Sequence, residues 1–461
     1  MTTVRRCTAA LAVTAVLCAA FAPAAHAGGD VRPPAPSSSP SPSSSSSPSP
    51  APSSAPSSSP SVKLPHGLYG DKDPTYDGVW RQSLALLGQA AAGVRPSDDA
   101  VRWLKRQRCA DGGFPAFRAD PAAPCGADTL TDSNSTAAAI QALSSLGDQR
   151  PFMAASVEWL RATQNKDGGW GYTPGTPSDA NSTSLVIGAL TSAGVRPTSM
   201  RVPRDSRATE GKDAYDALVA LSIPCDAGSG ADAGAFAYQP DQDGGLTAND
   251  DATAAAVLAG LGKRLVSAPV TAGPAPTCAP AAASARPSPE RAARNGAAYL
   301  ASALAATGHL DQPPLPGAES GDGGAAQPDV GNTADAVVAL TAAGYGDQAT
   351  GALEWLKKNS GPWAQQQGPA AYAQLIFAAY ATDTDPRNFG GIDLVERLNA
   401  TGPTPKSVAP PEPRPGNAAE SAAESAIADG GAVVLLWVIG IGVVAALGTG
   451  FLVSRRKTRQ P

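Results

Sequence analysis

Asp, Asn, Ser and Thr cluster in four strings of the chain: DSNST (132–136), DANST (179–183), NDDAT (249–253) and GNTAD (331–335). Two chemistries suit these residue types. A carboxyl group that burial and neighbouring carboxylates keep protonated can act as a general acid, whereas neutral hydrogen-bonding groups can orient a bound ligand. The same residues also cap helices, so the elements that carry the strings have to be identified first.

Each string opens a segment with almost no charge that closes on Gly, as in DSNSTAAAIQALSSLG. This pattern predicts a helix that is capped at its start and covered on every side. Other segments, such as SVEWLRATQ, are apolar at helical spacing and charged on the opposite side, which predicts surface helices. Inner candidates lie near 76–93, 132–147, 179–195, 249–262, 331–346 and 367–382, and outer candidates near 97–108, 153–164, 213–223, 291–306, 348–359 and 391–400.

The two kinds of segment alternate strictly, which predicts an all-α fold. Six uncharged helices can be buried as a ring inside six half-charged ones, an (α/α)6 toroid over about residues 62–402. A solenoid of stacked helix pairs is the alternative, because repeats alone do not establish closure. If the inner helices run in the same sense, their N-termini meet at one mouth, each with free backbone N–H groups and a positive dipole end.

A turn motif follows the second outer candidate in the string QNKDGGWGY (164–172). Glycine permits the positive φ of a sharp turn, Asp167 can bond to nearby backbone, and Trp170 can pack between neighbouring helix pairs. The string DGGF at 111–114 repeats the motif, and QDGGL (242–246) and GDGGA (321–325) are weaker copies.

Gln164, Gly168 and Trp170 at this spacing resemble the QW repeat of the squalene-cyclase and prenyltransferase superfamily. The resemblance implies an α/α toroid, and an enzyme of that superfamily is one functional expectation. Its cyclases use an acid in a D-x-D-D motif, diphosphate ionisation uses D-D-x-x-D with magnesium, protein prenyltransferases bind zinc through Asp, Cys and His, and related thioester domains carry C-G-E-Q. The three sequence strings are absent from this chain, and no His or Cys opens an inner helix to complete a zinc site. The pair Asp250-Asp251 begins an inner helix, where capping is the expected role.

A second resemblance is carried by NTADAVVAL (332–340), which is similar to helix starts in the helical domain of transcobalamin and intrinsic factor. It implies capture of cobalamin or a related large, amphiphilic nutrient for a membrane importer. Neutral hydrogen-bonding groups over an apolar shaft suit such a ligand.

The predicted ligand-binding residues lie at the starts of the inner helices, with caps as the alternative role for each. They are Tyr76, Asp77, Trp80, Asp132, Asn134, Asp179, Asn181, Asp250, Asn332, Asp335, Tyr372 and Gln374. We expect no cofactor, no catalytic residue and no metal site.

The chain ends predict secretion and a membrane anchor. Arg5 and Arg6, an apolar run and Ala25-His26-Ala27 form a secretory signal. The uncharged run from Ala432 to Val453 is long enough to span a bilayer, and the basic cluster after it belongs in the cytoplasm. The expected organisation is a signal peptide at 1–27, a Pro/Ser-rich disordered spacer at 28–61, the toroid at 62–402, a second spacer at 403–430, a transmembrane helix at 431–453 and a cytoplasmic tail at 454–461.

Charge and cysteine content fit an extracellular domain on a single-pass cell-membrane protein. Without the basic residues of the signal and tail, 29 basic side chains face 40 acidic ones, which excludes nucleic acid as a partner. We predict the disulfides Cys109–Cys125 and Cys225–Cys278. Zinc is the alternative for these cysteines, but their spacing is unsuitable and the mature chain has only His66 and His309.

Together these features predict a membrane-anchored, non-catalytic module that binds a small-molecule or surface ligand. A terpenoid cyclase or prenyltransferase-like enzyme is the first alternative. A structural cell-wall protein that binds a protein or glycan partner is the second.

Overall fold

The computed structural model describes residues 65–147, 150–202, 211–226, 230–280, 286–312 and 327–408. They all belong to the second of two units into which the contacts divide the chain, residues 62–461. The predicted signal peptide, N-terminal spacer, transmembrane helix and cytoplasmic tail lie outside the described residues. Among the helices that are described, none combines the length and apolar character needed to cross a membrane.

Twelve α-helices are the main regular elements of the described chain, beside a few two-residue strands, so the all-α prediction is confirmed. The six inner candidates are α1 (Gly78–Ala91), α3 (Ser133–Ser145), α5 (Ala180–Ser192), α7 (Asp250–Gly260), α9 (Val330–Ala342) and α11 (Pro369–Ala381). The six outer candidates are α2 (Asp98–Gln107), α4 (Arg150–Ala162), α6 (Ala214–Ala220), α8 (Pro289–Leu304), α10 (Gly346–Gln367) and α12 (Leu394–Ala400). The largest difference from the predicted bounds is α10, which continues to Gln367 through Pro362.

Three short antiparallel strand pairs join the helices. They are β1 (Val94–Arg95) with β6 (Ser407–Val408), β2 (Phe114–Pro115) with β3 (Thr131–Asp132), and β4 (Leu310–Asp311) with β5 (Pro328–Asp329). The first pair ties the C-terminal end of the described chain to the segment between α1 and α2. Lys406 adds an ion pair with Asp98 at 2.7 Å. The ordered chain therefore continues past residue 402.

The six inner helices contact one another in a closed cycle. Each contacts the next inner helix along the chain, and α11 contacts α1. Each also packs against the outer helix that follows it. Side chains such as Leu86, Ile140 and Ile187 are fully buried in this arrangement. Because inner helices are covered on every side, a charge on them would be costly, which explains their composition.

Four inner helices begin with the same set of hydrogen bonds. The capping side chains of Asp132, Asp179, Asn249 and Asp329 each accept a backbone N–H bond from three residues ahead, at 2.6 to 3.0 Å. Four residues after each cap, Thr136, Thr183, Thr253 and Thr333 accept the backbone N–H of Phe114, Trp170, Phe236 and Leu310, respectively. The caps satisfy N–H groups of the first turn, and the threonines fasten the preceding turn to the helix.

The glycine turn at Gly168 is structural, as the sequence predicts. Gly168 has a φ of 96°, and a Cβ there would lie 2.1 Å from the backbone oxygen of Asp213 at the start of α6. Asp167 accepts the backbone N–H of Gly169 at 3.0 Å. The ring of Trp170 is buried, and its Nε1 donates to Leu160 O in the last turn of α4 at 2.8 Å.

Equivalent turns occur at Gly112 and Gly234, where a Cβ would lie 2.1 and 2.6 Å from backbone oxygens of α4 and α8. The predicted weaker copy at 242–246 forms the same local turn, in which Gly244 N–H donates to Asp241 O at 3.1 Å, as Gly168 N–H donates to Asn165 O at 2.9 Å. It does not pack against an outer helix as Gly168 does. Gly244 also has positive φ, but a Cβ there would meet no atom within 4 Å. Its turn is exposed because Thr253 bonds to Phe236, which takes the place of Trp170 in this repeat. The copy at 321–325 lies outside the described residues.

A loop closes the C-terminal end of the inner-helix cycle. Gln141 of α3 accepts the backbone N–H of Leu265 and donates to Leu185 O of α5, both at 3.2 Å. Further along the same loop, Gly273 donates to Gly344 O, just after α9, at 2.7 Å. The loop of residues 263–273 therefore crosses from α3 to the end of α9.

Both predicted disulfides are present. Cys109–Cys125 closes 16 residues between α2 and α3, and Cys225–Cys278 closes 53 residues between α6 and α8. A covalent loop of this kind restricts the unfolded chain and so favours the folded one.

Candidate ligand-binding site

Six half-buried residues, one from the first two turns of each inner helix, form the candidate site, which we call the mouth. They are Trp80, Asn134, Asn181, Asp251, Asp335 and Gln374. Two hydrogen bonds join neighbouring helix starts directly. Asn181 of α5 donates to Asp251 of α7, and Gln374 of α11 donates to Asp335 of α9 at 3.1 Å.

Backbone hydrogen bonds place the remaining helix starts beside one another. Val79 in α1 donates to Ala116 O at 2.8 Å, next to the β2–β3 pair that leads into α3. Ser133 in α3 donates to Tyr172 O, also at 2.8 Å, just after the turn that leads into α5. Neighbouring inner helices therefore begin at the same end of the cycle, as the toroid prediction requires.

Asp251 occupies the same position in its repeat as Asn134 and Asn181. Each is the second residue after the helix cap, so three successive helices present Asn, Asn and Asp at equivalent places. Water reaches the Asp251 side chain, yet protein surrounds it closely. Burial is the largest cause that raises its pKa to about 6, and the hydrogen bond from Asn181 opposes this shift.

Asp335 is the most strongly perturbed carboxyl group of the mouth. Burial and the nearby charge of Asp251 raise its pKa to about 8, against the hydrogen bond from Gln374. A carboxyl group with this pKa is mostly protonated at neutral pH. The carboxyl of Asp335 can therefore donate a hydrogen bond or a proton.

Asp250 lies at the edge of the mouth and faces the outer helix α8. Its carboxylate accepts the hydroxyl proton of Tyr299 at 2.7 Å, and burial raises its pKa. The capping role expected for Asp250 and Asp251 is wrong, because Asn249 is the cap and leaves both carboxylates free of the first-turn N–H groups.

Gly331 leaves open a small space at the start of α9. A Cβ at this position would lie 3.5 Å from the Trp363 ring, 3.7 Å from the Asp329 carboxylate and 3.9 Å from the Gln374 amide. An indole, a carboxylate and an amide therefore converge around a residue that has no side chain.

Below the mouth, the inner helices are packed. The residues one turn further along each helix are Leu84, Ala138, Leu185, Ala255, Ala339 and Ala378, and of these only Ala255 is more than 9% exposed. The expected apolar shaft is thus filled by side chains at this level. Only Ala255, below Asp251, keeps partial exposure, and we call the space above it the recess. Such a site has room for a ligand group at its surface but not for a long chain beneath it.

The remaining predicted site residues lie in three kinds of place. Asp132 and Asp179 are buried helix caps, which is the role predicted for them as the alternative to ligand binding. Tyr76 is 84% exposed, and Asp77 forms an ion pair with Arg81 at 3.3 Å. Asn332 donates to the capping carboxylate of Asp329, and Tyr372 is buried in the core.

Sequence reasoning missed Asp251, Asp329, Tyr299 and Trp363. Aligning the helix starts on their caps would have found Asp251, because it aligns with Asn134 and Asn181. Nothing in the local sequence marks Tyr299 or Trp363, which reach the site from outer helices. Within the ranges described, no group of three or more His, Cys, Asp or Glu side chains is arranged to hold a metal ion.

No known family and no curated protein matches this sequence. The solved structures similar to the chain include ent-copalyl diphosphate synthase from Streptomyces platensis, with 17% identity over 66% of this chain and a TM-score of 0.42. This chain spans 50% of the length of that synthase. A protein from Actinoplanes is similar over 69% of this chain and 93% of its own, with 16% identity and a TM-score of 0.42. Likenesses this weak carry no argument about function.

Proposed function

We propose that the closed cycle of inner helices is the inner ring of an (α/α)6 toroid and that its mouth is the ligand site of a non-catalytic binding module. The proposal depends on a difference in polarity and packing between the mouth and the interior of the ring. Six half-buried, mostly polar side chains occupy one end, above a packed interior. Polar groups that keep access to water at one end of a rigid ring are placed to orient a ligand.

The proposed ligand is a large, amphiphilic molecule of which one polar part enters the mouth. Asn134, Asn181 and Gln374 supply amides, Asp251 and Asp335 supply carboxyl groups, and Trp80 supplies a flat apolar surface. A corrinoid nutrient, as the transcobalamin resemblance implies, is one ligand of this type.

A terpenoid cyclase is the second candidate, and Asp335 favours it. A carboxyl group whose pKa is about 8 is an acid that remains protonated at neutral pH, as protonation of an alkene would require. The packed interior below the mouth argues against a cyclase, because a cyclase must enclose the apolar chain that it folds.

The module's proposed place is the outer face of the cell membrane, anchored by the transmembrane segment that the sequence predicts at 431–453 and passing its ligand to an importer. The two disulfides support an oxidising compartment. The acidic balance of the chain supports a partner other than nucleic acid.

A thermal-shift and calorimetric screen tests the proposal against corrinoids, polyprenyl diphosphates, sterol-like terpenoids and wall glycans. The fragment should run from residue 62 to 408, because β6 and Lys406 bind the start of the ring, with the full chain in detergent as its control. A micromolar ligand corresponds to about 8 kcal/mol of binding and raises the melting temperature when saturating. Gln374→Ala should weaken binding if the mouth is the site. Turnover of a polyprenyl or terpenoid compound that Asp335→Asn abolishes would replace this proposal with the cyclase.

A further inference from the structure

Among the described residues, no basic side chain forms an ion pair with Asp251 or Asp335 of the mouth. The charges that bear on the pKa of these groups are all carboxylates: Asp179, Asp250 and Asp329 act on Asp251, and Asp251 and Asp329 act on Asp335. The only hydrogen-bond partners of Asp251 and Asp335 in the described chain are the amides of Asn181 and Gln374. Repulsion among these groups is relieved either by protonation or by a positive charge from outside the chain.

Unpaired hydrogen-bonding atoms around these carboxyl groups point to a missing donor. The Oδ1 atoms of Asn134 and Asn181 are buried and have no hydrogen-bond partner. A buried amide oxygen without a partner loses its hydration without compensation, at a cost of roughly 1–3 kcal/mol. Both are acceptors, as ionised carboxylates are, so one group that carries several N–H donors would satisfy them.

Ser184 extends this set one turn below Asn181 on α5. It is only 5% exposed and its Oγ has no partner. Ser184 and Leu185 keep 5% and 9% exposure, whereas Val186 and Ile187 keep none, which places Ser184 on the side of the helix toward the recess. A buried hydroxyl that is left free there is available to a ligand.

Two aromatic rings lie at the mouth or beside it. Trp80 and Trp363 are partly buried, and the Trp363 ring lies near the Asp329 carboxylate and the Gln374 amide around Gly331. Carboxylates combined with indole faces are the groups that proteins use to hold organic cations.

We propose that the mouth binds the ammonium group of an organic amine, held by the carboxylates of Asp251 and Asp335 and the free Oδ1 of Asn181. This inference rests on the proposed function, because it names the ligand class of the same site. An ammonium group supplies three N–H donors and one positive charge, which match three acceptors and surplus negative charge.

Binding should release protons, because an ammonium group favours the ionised form of Asp335. The titratable groups close to this carboxyl are Asp251 of α7 and Asp329 before α9. Asp250 acts on Asp251, and beyond Asp250 lie Tyr299 of α8 and Asp311. None of them is basic. The affinity for an amine should therefore increase as the pH rises from 6 to 8, over which an alkyl ammonium group stays charged.

Isothermal titration of the full chain in mild detergent with spermidine tests the proposal, with 1,7-heptanediol as the neutral probe and Ca²⁺ as the metal probe. Spermidine should bind with a micromolar Kd, whereas the diol and Ca²⁺ should not bind. Asp251→Asn and Asp335→Asn should each weaken binding by about tenfold or more, since each removes a buried charge partner. Titration in buffers of different ionisation enthalpy should show proton release at pH 7.

Asp347→Asn is the matched control, because it removes the same charge from an exposed residue at the opposite end of α9, in the first turn of α10. It should leave the Kd unchanged within about twofold. The proposal is overturned by absence of spermidine binding, by equal weakening in all three variants, or by binding of Ca²⁺ in place of the amine. A corrinoid that binds the mouth while spermidine does not would remove this inference and leave the proposed function standing.

Discussion

Asp132 and Asp251 begin two inner helices, and burial raises the pKa of each to about 6. Their surroundings nevertheless differ. Asp132 caps α3 and accepts the backbone N–H of Ser135 at 2.6 Å, so its carboxyl completes the fold. Asp251 lies two residues after its cap and accepts only from the Asn181 side chain. A raised pKa therefore does not by itself mark a site, and the partners of the carboxyl group distinguish a cap from a ligand position.

The same distinction separates Asp179 from Asp335. Asp179 is buried and accepts from both the backbone and the hydroxyl of Ser182, at 2.7 and 2.8 Å. Asp335 remains partly accessible and accepts only from an amide across the mouth. Replacing an Asp of the first kind should damage the fold, whereas replacing one of the second kind should alter binding and pH dependence.

The turns before the inner helices fasten the helix starts in the same way, and a substitution at Gly168 should disturb this arrangement most. Gly168→Ala should lower the free energy of unfolding by about 3 kcal/mol or more, because the new Cβ overlaps the Asp213 backbone in addition to the positive-φ strain. Gly244→Ala is the control, with a φ of 85° and open space around it, and should cost only about 1 kcal/mol. Chemical denaturation of both variants measures the difference, and equal costs would contradict the close approach of turn and helix.

Asp335→Asn should have the next largest effect: it should stabilise the folded chain, by an amount that increases with pH. Because the folded-state pKa is raised to about 8, the folded chain binds more protons than the unfolded chain between about pH 4 and 8, and stability falls as the pH rises through this window. Asn cannot ionise. The variant should therefore match the unaltered chain near pH 4 and exceed it increasingly up to pH 8, by on the order of 1–3 kcal/mol after allowing for water access.

Denaturation curves at pH 5, 6, 7 and 8 would show this divergence. Asp347→Asn removes an exposed carboxylate from the same chain and should run parallel to the unaltered protein at every pH. Parallel curves for Asp335→Asn as well would show that Asp335 is ionised throughout and is not part of a crowded acidic mouth.

Asp179→Ala should have the smallest of the three effects on stability. Unlike Asp335→Asn, it should lower the free energy of unfolding. It removes a helix cap and should cost about 1–2 kcal/mol at neutral pH. Asn at the same position retains the acceptor and should recover most of this loss. Unfolding measurements on the two variants separate the cap from the charge, and a loss that is equal for Ala and Asn would assign Asp179 to an electrostatic role.

The helices and their alternation could be predicted from the sequence because each inner segment carries its own signals, such as the Asp179 cap and the absence of charge after it. The site could be predicted only in part. Asn134, Asn181, Asp335 and Gln374 were found from their place at helix starts, but a cap and a free carboxylate look alike in sequence. Tyr299 approaches from an outer helix, a contact between segments that no local pattern records.

Asp335 and Asp251 cap no helix and are crowded into one mouth, and titration of their side chains tests this most directly. Carbon-13 NMR of the Asp side-chain carboxyls, assigned with Asp335→Asn and Asp251→Asn, would give each pKa in the folded chain. We predict one titration near pH 8 and one near pH 6, lost in the respective variants. Titration of both groups below pH 5 would contradict the account, because the mouth would then be open to water and its carboxylates independent.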